Sequence, residues 1–174
     1  MKSNLLNASI FRTVFSLATA KRAMRGLSLI TAGTIAAGTA VSAQAAPITE
    51  SAVQGYASAM KAAANSKNIN QVARLVSDDA LISLSRKGKT TSLDKDAYLK
   101  LLQSSWNQTQ NYRYEITVNN IVTSGEQAKA DVKTVETWVK DGQNVSFVTS
   151  SRVTLGSGSN NAILLRAVSQ VTIN

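Results

Sequence analysis

The chain has 174 residues, a formal net charge of +9, a single Pro, no Cys and no His. Without Cys there is no disulfide, thiolate zinc site, thiol nucleophile or iron–sulfur cluster. Without His there is no Ser-His-Asp triad and no imidazole acid or base. The length fits one domain preceded by a leader.

The positive charge is unevenly distributed along the chain. Five basic residues precede the first acid, Glu50. After residue 45, the remaining 14 basic and 10 acidic residues leave a charge of +4. A net charge of that size is ordinary for a soluble domain, so no nucleic acid partner is predicted.

The first 45 residues have the pattern of an export signal. Residues 1–25 are basic, residues 26–41 are apolar and small, and Ala43-Gln44-Ala45 follows. This pattern predicts a secretory signal peptide that is cleaved between Ala45 and Ala46. The alternative is a retained membrane anchor, although 16 apolar residues fall short of the roughly 20 that span a bilayer. We expect residues 46–174 to form one domain, periplasmic or secreted, that meets a membrane only during export.

The predicted domain begins with two helices. Thr49 is a candidate helix N-cap, and apolar residues at three- and four-residue spacing through Ala64 predict one amphipathic helix. The segment Asn65–Asn68 breaks this pattern. A second, short helix is predicted over Ile69–Val76 and is ended by Asp78-Asp79, whose carboxylates we interpret as turn and cap groups rather than a catalytic pair.

A short hairpin and a third helix come next. Ala80–Leu84 and Thr90-Thr91 are predicted strands on either side of the basic turn Arg86–Lys89. Ser92 is predicted to cap the third helix, whose first turn contains acids. Two aromatic residues of this helix are expected in the core, namely Tyr98 and Trp106.

The remainder of the chain has the pattern of an antiparallel sheet. Alternating apolar and polar residues predict four long strands: Gln110–Thr123, Gln127–Lys140, Gln143–Leu155 and Asn161–Thr172. Asp141-Gly142 is a strong hairpin signal, because a type I′ turn needs positive φ at both central residues. Ser124-Gly125-Glu126 is predicted as a three-residue turn.

These turns set the predicted register. Across the second and third strands, Trp138 faces Val145, Glu136 faces Phe147, Thr134 faces Thr149 and Val132 faces Ser151. Across the first and second, Val118 faces Val132, Ile116 faces Thr134, Tyr114 faces Glu136 and Tyr112 faces Trp138. These positions are mainly apolar and are expected to face the helices. The last strand adds Ile163, Leu165, Ala167, Ser169, Val171 and Ile173.

The opposite face of the sheet is mixed in character. It carries the surface pair Asp131–Arg152 and is also expected to include Leu164. An apolar patch formed by Val135, Val148 and Val168 is a plausible homodimer contact.

The order of elements and the segment Leu75-Val76-Ser77-Asp78-Asp79-Ala80 resemble the nuclear transport factor 2-like superfamily, which includes ketosteroid isomerase-like and SnoaL-like proteins. The resemblance covers residues 48–174 and implies a cone-shaped (cystatin-like) α+β fold, with three helices packed on a curved antiparallel sheet around a pocket. It also implies a catalytic Asp on the strand after Asp-Asp-Ala, yet residues 81–85 contain no acid. The superfamily includes enzymes, ligand binders and interaction modules, so its fold does not set the function. We expect a protein without catalytic activity.

Glu136 is the only carboxylate predicted on the helix-facing side of the sheet. An ionised carboxylate among aromatic rings needs partners or water, otherwise its pKa rises. We predict a ligand pocket lined by Tyr56, Tyr112, Tyr114, Glu136, Trp138, Phe147, Thr134 and Thr149. The alternatives are a solvated rim residue hydrogen-bonded to Tyr114, or a proton-transfer residue.

Three functions remain open at this point. The first is binding of a small, partly apolar ligand in the cone. The second is a homodimeric interaction module that uses the outer face of the sheet, and the third is an isomerase-type enzyme that uses Glu136. No cofactor and no metal are predicted.

Overall fold

The structure, a computed structural model, describes residues 46–173. The predicted signal peptide therefore lies outside the described residues. The elements are α1 (Glu50–Asn65), α2 (Ile69–Arg74), β1 (Val76–Arg86), β2 (Lys89–Leu93), α3 (Lys95–Asn107), β3 (Gln110–Ser124), β4 (Gln127–Lys140), β5 (Gln143–Gly156) and β6 (Ile163–Ile173). No helix in residues 46–173 is long and apolar enough to cross a membrane.

The strands form one curved sheet that is not closed into a barrel. Its order is β2-β1-β6-β5-β4-β3, so the short hairpin extends the predicted four-stranded meander to six strands. Strands β1 and β6 are parallel, and all other neighbours are antiparallel. Helix α1 packs mainly on β3. The predicted α+β architecture is confirmed.

Helix α1 forms for the reasons visible in the sequence. The Thr49 side chain accepts a hydrogen bond from the Ala52 N–H at 3.2 Å, which satisfies one free donor of the first turn. Val53, Tyr56 and Met60 recur at three- and four-residue spacing and are buried. This face anchors the helix on the sheet.

The boundary between α2 and β1 differs from the prediction. The helix ends at Arg74, and Asp78-Asp79 lies within β1 rather than after the helix. Strand β1 pairs with β6 at Val76↔Leu164 and again from Leu81↔Arg166, with an irregularity between them. The irregular stretch is long enough to push both acids outward, where they are exposed.

The predicted cap of the third helix is wrong by two residues. Ser92 pairs with Ser83 inside β2, and the strand continues to the buried Leu93. Asp94 is the N-cap instead, since its carboxylate accepts a hydrogen bond from the Ala97 N–H at 2.8 Å. Strand pairing thus competes with capping at Ser92 and prevails.

The hairpin of β4 and β5 has the predicted register. The pairs Trp138↔Val145, Glu136↔Phe147 and Thr134↔Thr149 are all present, and so is Asp131↔Arg152 on the outer face. Asp141 and Gly142 have φ of 50° and 75°, as a type I′ turn requires.

The hairpin of β3 and β4 reaches the predicted register by a different route. Ser124 pairs with Gln127, so the turn contains two residues rather than three. A bulge between Asn119 and Val122 then supplies the extra residue, and Asn120 adopts a φ of 52° within it. The pairs Val118↔Val132, Ile116↔Thr134 and Tyr114↔Glu136 are therefore as predicted.

A further bulge in β6 corrects the predicted inner face. The register shifts between Thr154 and Leu155, which leaves Leu165 as an additional residue on β6. Leu164, predicted on the outer face, is buried, whereas Leu165 is half-buried. Beyond the bulge, Ala167, Ser169 and Val171 are buried as predicted. The side chain of Ile173 lies outside the described residues.

On the outer face, the three predicted patch residues are not contiguous. Val135 pairs with Val148, and both are half-buried. Val168 pairs with Arg152 and lies four residues along β6 from Thr172, the partner of Val148. At about 3.3 Å per residue, four residues separate Val168 from the valine pair by roughly 13 Å.

Candidate functional site

The aromatic residues of the described chain form one connected cluster that includes Glu136. Tyr114 and Phe147 flank Glu136 on the neighbouring strands. Two edge-to-face contacts extend the cluster, between Trp138 and Phe147 at 4.6 Å and between Trp106 and Tyr112 at 6.2 Å. Its aromatic members are Tyr56, Tyr98, Trp106, Tyr112, Tyr114, Trp138 and Phe147.

Glu136 and Tyr112 form the polar centre of this cluster. The Tyr112 hydroxyl donates a hydrogen bond to Glu136 Oε2 at 2.7 Å. Both side chains are half-buried. Burial nevertheless raises the pKa of Glu136, and the Tyr112 hydrogen bond offsets only part of that rise. Glu136 is thus a recessed carboxylate whose desolvation is only partly offset by the Tyr112 hydroxyl.

The other tyrosines surround this pair. Burial and the charge of Glu136 raise the pKa of Tyr98, and both also raise the pKa of Tyr114. Burial, followed by the proximity of Tyr98, raises the pKa of Tyr56. These phenols therefore stay protonated at neutral pH.

Tyr112 contacts both the end of α3 and a cation. Burial is the main cause that raises the Tyr112 pKa, and Glu136 adds to it. The Trp106 indole N–H lowers the Tyr112 pKa, although this N–H is not within hydrogen-bond geometry of any described acceptor. Lys67 Nζ lies 5.9 Å from the centre of the Tyr112 ring. The same ammonium donates to the carbonyls of Trp106 and Thr109, both at 2.9 Å.

Two backbone features place the tyrosines of β3. Asn65, at the end of α1, receives a hydrogen bond from the Tyr114 N–H at 2.8 Å and donates one to the Tyr114 carbonyl at 2.9 Å. A bulge in β3 sets Asn111 and Tyr112 opposite Trp138, with Asn111 at a φ of 51°. Tyr112 therefore lies beside Trp138 as predicted, but through a bulge rather than a regular pair.

The predicted polar flank of the site lies further along the strands. Thr134 is buried and pairs with the half-buried Thr149, two residues from Glu136 and Phe147 on the same face. The next polar residue, Ser151, donates to the Ser169 hydroxyl at 2.8 Å. The flank is therefore a short ladder of hydroxyls that leads away from Glu136.

A separate groove of about 600 Å³ opens between α1, α2 and the connection that precedes β6. It is lined by small, polar and aliphatic side chains, namely Ala59, Ala62, Gln71, Arg74, Leu75, Ser159, Asn160, Asn161 and Ile163. None of the predicted pocket residues contributes to it. The aromatic cluster, with its recessed acid, offers the more specific chemistry of the two.

The remaining carboxylates suit a structural role. Asp78 has an almost fully exposed side chain and forms an ion pair with Lys95 at 2.7 Å. The Lys95 hydrogen bond lowers the pKa of Asp78. Among residues 46–173, no group of three or more acidic side chains is arranged to hold a metal ion.

Comparison with solved structures decides the fold. A conserved protein from Planctomyces limnophilus aligns with a TM-score of 0.59 at 15% identity, over 72% of this chain and 97% of that one. A candidate dehydratase of the nuclear transport factor 2-like family from Streptomyces avermitilis aligns with a TM-score of 0.56 at 12% identity, over 71% and 97%. A ketosteroid isomerase-like protein from Erwinia carotovora atroseptica aligns with a TM-score of 0.54 at 18% identity, over 71% and 98%. The chain has the nuclear transport factor 2-like fold. No family model and no curated protein sequence matches it.

Within this nuclear transport factor 2-like fold, the structure joins most of the predicted site residues. Tyr56, Tyr112, Tyr114, Trp138 and Phe147 all belong to the cluster with Glu136. The hydrogen bond to Glu136 comes from Tyr112 rather than from Tyr114.

Sequence reasoning missed two neighbours of the site. Tyr98 was expected to be a core residue, but it is half-buried and close enough to Glu136 to feel its charge. Lys67 lies in the break after α1, at a φ of 51°, where the sequence pattern gives no direction for its side chain. Its apposition to Tyr112 depends on how α1 and α3 pack.

Proposed function

We propose that this chain binds a small, partly apolar ligand against Glu136 and Tyr112, and that it does so without catalysis. The observation that supports the proposal is the recessed Glu136–Tyr112 hydrogen bond at 2.7 Å inside the aromatic cluster. Desolvating a carboxylate costs free energy, and here one phenol hydroxyl is its hydrogen-bond partner among the described residues. A bound ligand would provide further partners.

The surroundings suit a ligand with both apolar and polar parts. Buried rings such as Trp138 and Phe147 provide an apolar floor, while the half-buried Glu136, Tyr98 and Tyr112 leave a polar edge open to solvent. Sites of this kind are mostly apolar with a few converging polar groups. Solved structures of similar fold include proteins described as candidate dehydratases and isomerase-like proteins, which fits a fold used to bind small molecules.

The titratable groups at the site support binding without catalysis. Glu136 is the one carboxylate in the cluster, and the surrounding phenols have raised pKa values. General acid–base catalysis works best with groups that exchange protons near the working pH. Glu136 could serve as a base, but no tyrosine there would serve as its acid partner.

The test is ligand retention and binding by the purified chain. Native mass spectrometry would detect a retained ligand, and a panel of small amphipathic compounds would be titrated while Trp106 and Trp138 fluorescence is recorded. We expect Glu136→Gln and Tyr112→Phe each to weaken binding about tenfold, which corresponds to the loss of one hydrogen bond to a charged group. Glu126→Gln, the same change at an exposed turn residue, should have no effect. Equal affinity in all four proteins would overturn the proposal.

A second candidate is a homodimer through the outer face of the sheet, favoured by the half-buried Val135–Val148 pair. Analytical ultracentrifugation should show a dimer that Val148→Glu disrupts, while Thr123→Glu, at an exposed strand end, leaves it intact. A wild-type chain that stays monomeric would exclude this candidate.

We also propose that the chain is exported and that the mature protein begins at Ala46. The support is the pattern of residues 1–45 alone. Mass measurement of the protein recovered from a periplasmic extract tests it, since a retained leader would add residues 1–45 to the measured mass.

A further inference from the structure

We propose that the ligand of this site is an organic cation, namely a small alkylammonium whose charged head lies between the Glu136 carboxylate and the aromatic faces around it. This inference rests on the proposed ligand-binding function and specifies the chemical class of the ligand.

The first support is the missing countercharge of Glu136. The ion pairs between described residues include Lys61–Glu115, Lys95–Asp78, Arg113–Glu115 and Arg152–Asp131. None of them includes Glu136, whose hydrogen-bond partner is a neutral phenol. Buried charges in proteins are usually paired, so a cationic ligand would complete this site as a neutral ligand would not.

The second support is the concentration of aromatic rings. Every aromatic residue of the described chain belongs to the cluster around Glu136. Packing alone does not require this arrangement, because aromatic rings would pack equally well elsewhere in the core. The faces of Trp and Tyr rings attract cations through their quadrupoles, and cages of such rings recognise quaternary ammonium groups. A carboxylate beside the half-buried rings of Tyr98 and Tyr112 therefore matches an alkylammonium in both charge and surface.

The third support is a cation already present at the edge of the cluster. Lys67 Nζ lies 5.9 Å from the centre of the Tyr112 ring, within the range of a cation–π contact. Its ammonium is occupied by the carbonyls of Trp106 and Thr109 and does not pair with Glu136. One side of the Tyr112 ring thus accommodates an ammonium, while the Tyr112 hydroxyl is directed to the carboxylate.

Binding of a cation beside Glu136 should depend on pH. Burial raises the pKa of Glu136, and a cation bound beside it would lower that pKa. The ligand should therefore bind more tightly as the pH rises through the titration of Glu136, and binding should release a fraction of a proton. The titratable groups near Glu136 on the packed elements are the phenols Tyr98, Tyr112 and Tyr114 and the Lys67 ammonium, which lies over the Tyr112 ring. The phenols have raised pKa values and stay protonated in this range.

The experiment compares choline with its carbon isostere, in which a tert-butyl group replaces the trimethylammonium group. Both are titrated into the full chain by calorimetry at neutral pH. The two probes have nearly the same shape and differ in charge. We expect choline to bind about tenfold or more tightly than the isostere, since cation–π contacts and one ion pair act on choline alone. Equal affinities, or a preference for the isostere, would overturn the inference without the need for any variant.

Substitutions at two glutamates test whether the preference for choline arises at Glu136. Glu136→Gln, which is nearly isosteric, should reduce the preference for choline to about threefold or less, the part that the rings alone supply. Glu126→Gln should retain the full preference. A preference for choline that survives Glu136→Gln unchanged would place the cation elsewhere and would also contradict the inference.

The outcomes separate this inference from the function on which it rests. If neutral amphipathic compounds bind in a manner that depends on Glu136 while choline does not, ligand binding stands and the cationic ligand is wrong. If no compound of either class binds in a manner that depends on Glu136, both fail.

Discussion

The Tyr112 hydroxyl on β3 donates a 2.7 Å hydrogen bond to the Glu136 carboxylate on β4. Tyr112 reaches Glu136 because the bulge at Asn111 sets it opposite Trp138, two residues along β4 from the acid. Burial removes water from the carboxylate, and the Tyr112 hydrogen bond replaces part of the lost hydration. The stability of this region should therefore depend on the charge state of Glu136.

Removing the donor should weaken the fold at neutral pH. In Tyr112→Phe the ring remains and Glu136 loses its hydrogen bond, so we expect a loss of about 1.5–3 kcal/mol in the free energy of unfolding. Urea denaturation measures this loss, and Tyr98→Phe is the matched control because no hydrogen bond joins Tyr98 to Glu136. In the Glu136→Gln background the same change should cost less, and an equal cost there would show that the hydroxyl does not act through the carboxylate.

Glu136→Gln should change how stability depends on pH. A raised folded-state pKa means that the stability from this group is complete below its unfolded-state value of about 4.3, and is lost as the pH rises through the folded-state pKa. Wild type should therefore lose stability relative to Glu136→Gln as the pH rises over this window. Urea denaturation at a series of pH values measures the difference. The lowered pKa values of Asp78 and Glu115 act in the opposite direction, but both proteins contain these residues and their effects cancel. A difference that is flat with pH would contradict the assignment.

Asn65 should carry more stability than its exposed position suggests. Its amide makes two hydrogen bonds to the Tyr114 backbone and so ties the end of α1 to β3. We expect Asn65→Ala to cost about 1–3 kcal/mol and to speed hydrogen exchange of the Tyr114 amide, which loses its acceptor. Gln54→Ala, at an exposed position of the same helix, is the control. Unchanged exchange at Tyr114 would show that the contact is not maintained in solution.

The parts of the site that could be predicted from the sequence are those fixed by short-range geometry. Asp141-Gly142 specifies a two-residue type I′ turn, and that turn fixes every pair of β4 and β5, including Glu136↔Phe147. The alternation of apolar residues then assigns Glu136 to the inner face. These inferences need no knowledge of the rest of the fold.

The parts that could not be predicted depend on bulges and on packing between distant segments. The turn after Ser124 has two residues, and its effect on register is cancelled by the bulge at Asn120, so a three-residue turn gives the same pairs. No comparable compensation exists in β6, so the prediction for the faces of Leu164 and Leu165 is wrong. Asn111 and Asn120 have a positive φ, and the sequence signal for each bulge is an Asn within a strand pattern. Asn also occurs in regular strands, so this signal does not predict a bulge.

Lys67 should stabilise the junction between α3 and β3. Its ammonium binds the carbonyls of Trp106, in the last turn of α3, and of Thr109, which precedes β3. We expect Lys67→Met, which keeps the apolar stem, to cost about 1–3 kcal/mol and to change the near-ultraviolet circular dichroism of the adjacent aromatic residues. Lys100→Met, at an exposed position of α3, should do neither. Equal effects of the two changes would indicate a general effect of net charge.

The bulge at Asn120 should tolerate Gly but not Val. Asn120 has a φ of 52°, a region that Asn and Gly adopt readily and β-branched residues do not. Its side chain also donates to Asp131 at 2.9 Å, an exposed bond of small value. Asn120→Gly should therefore change the free energy of unfolding by less than about 0.5 kcal/mol, whereas Asn120→Val should reduce it by about 1–2 kcal/mol.

Deleting Asn120 tests the same bulge at the level of register. Without the extra residue, the two-residue turn at Gly125-Glu126 would match the apolar side chains of β3 to the solvent face of β4, because a slip of one residue inverts every side chain. The deletion should thus remove Tyr112 and Tyr114 from the cluster or prevent folding, either of which near-ultraviolet circular dichroism would report. A deletion variant with native aromatic signal and native stability would show that the turn, and not the bulge, absorbs the change in length.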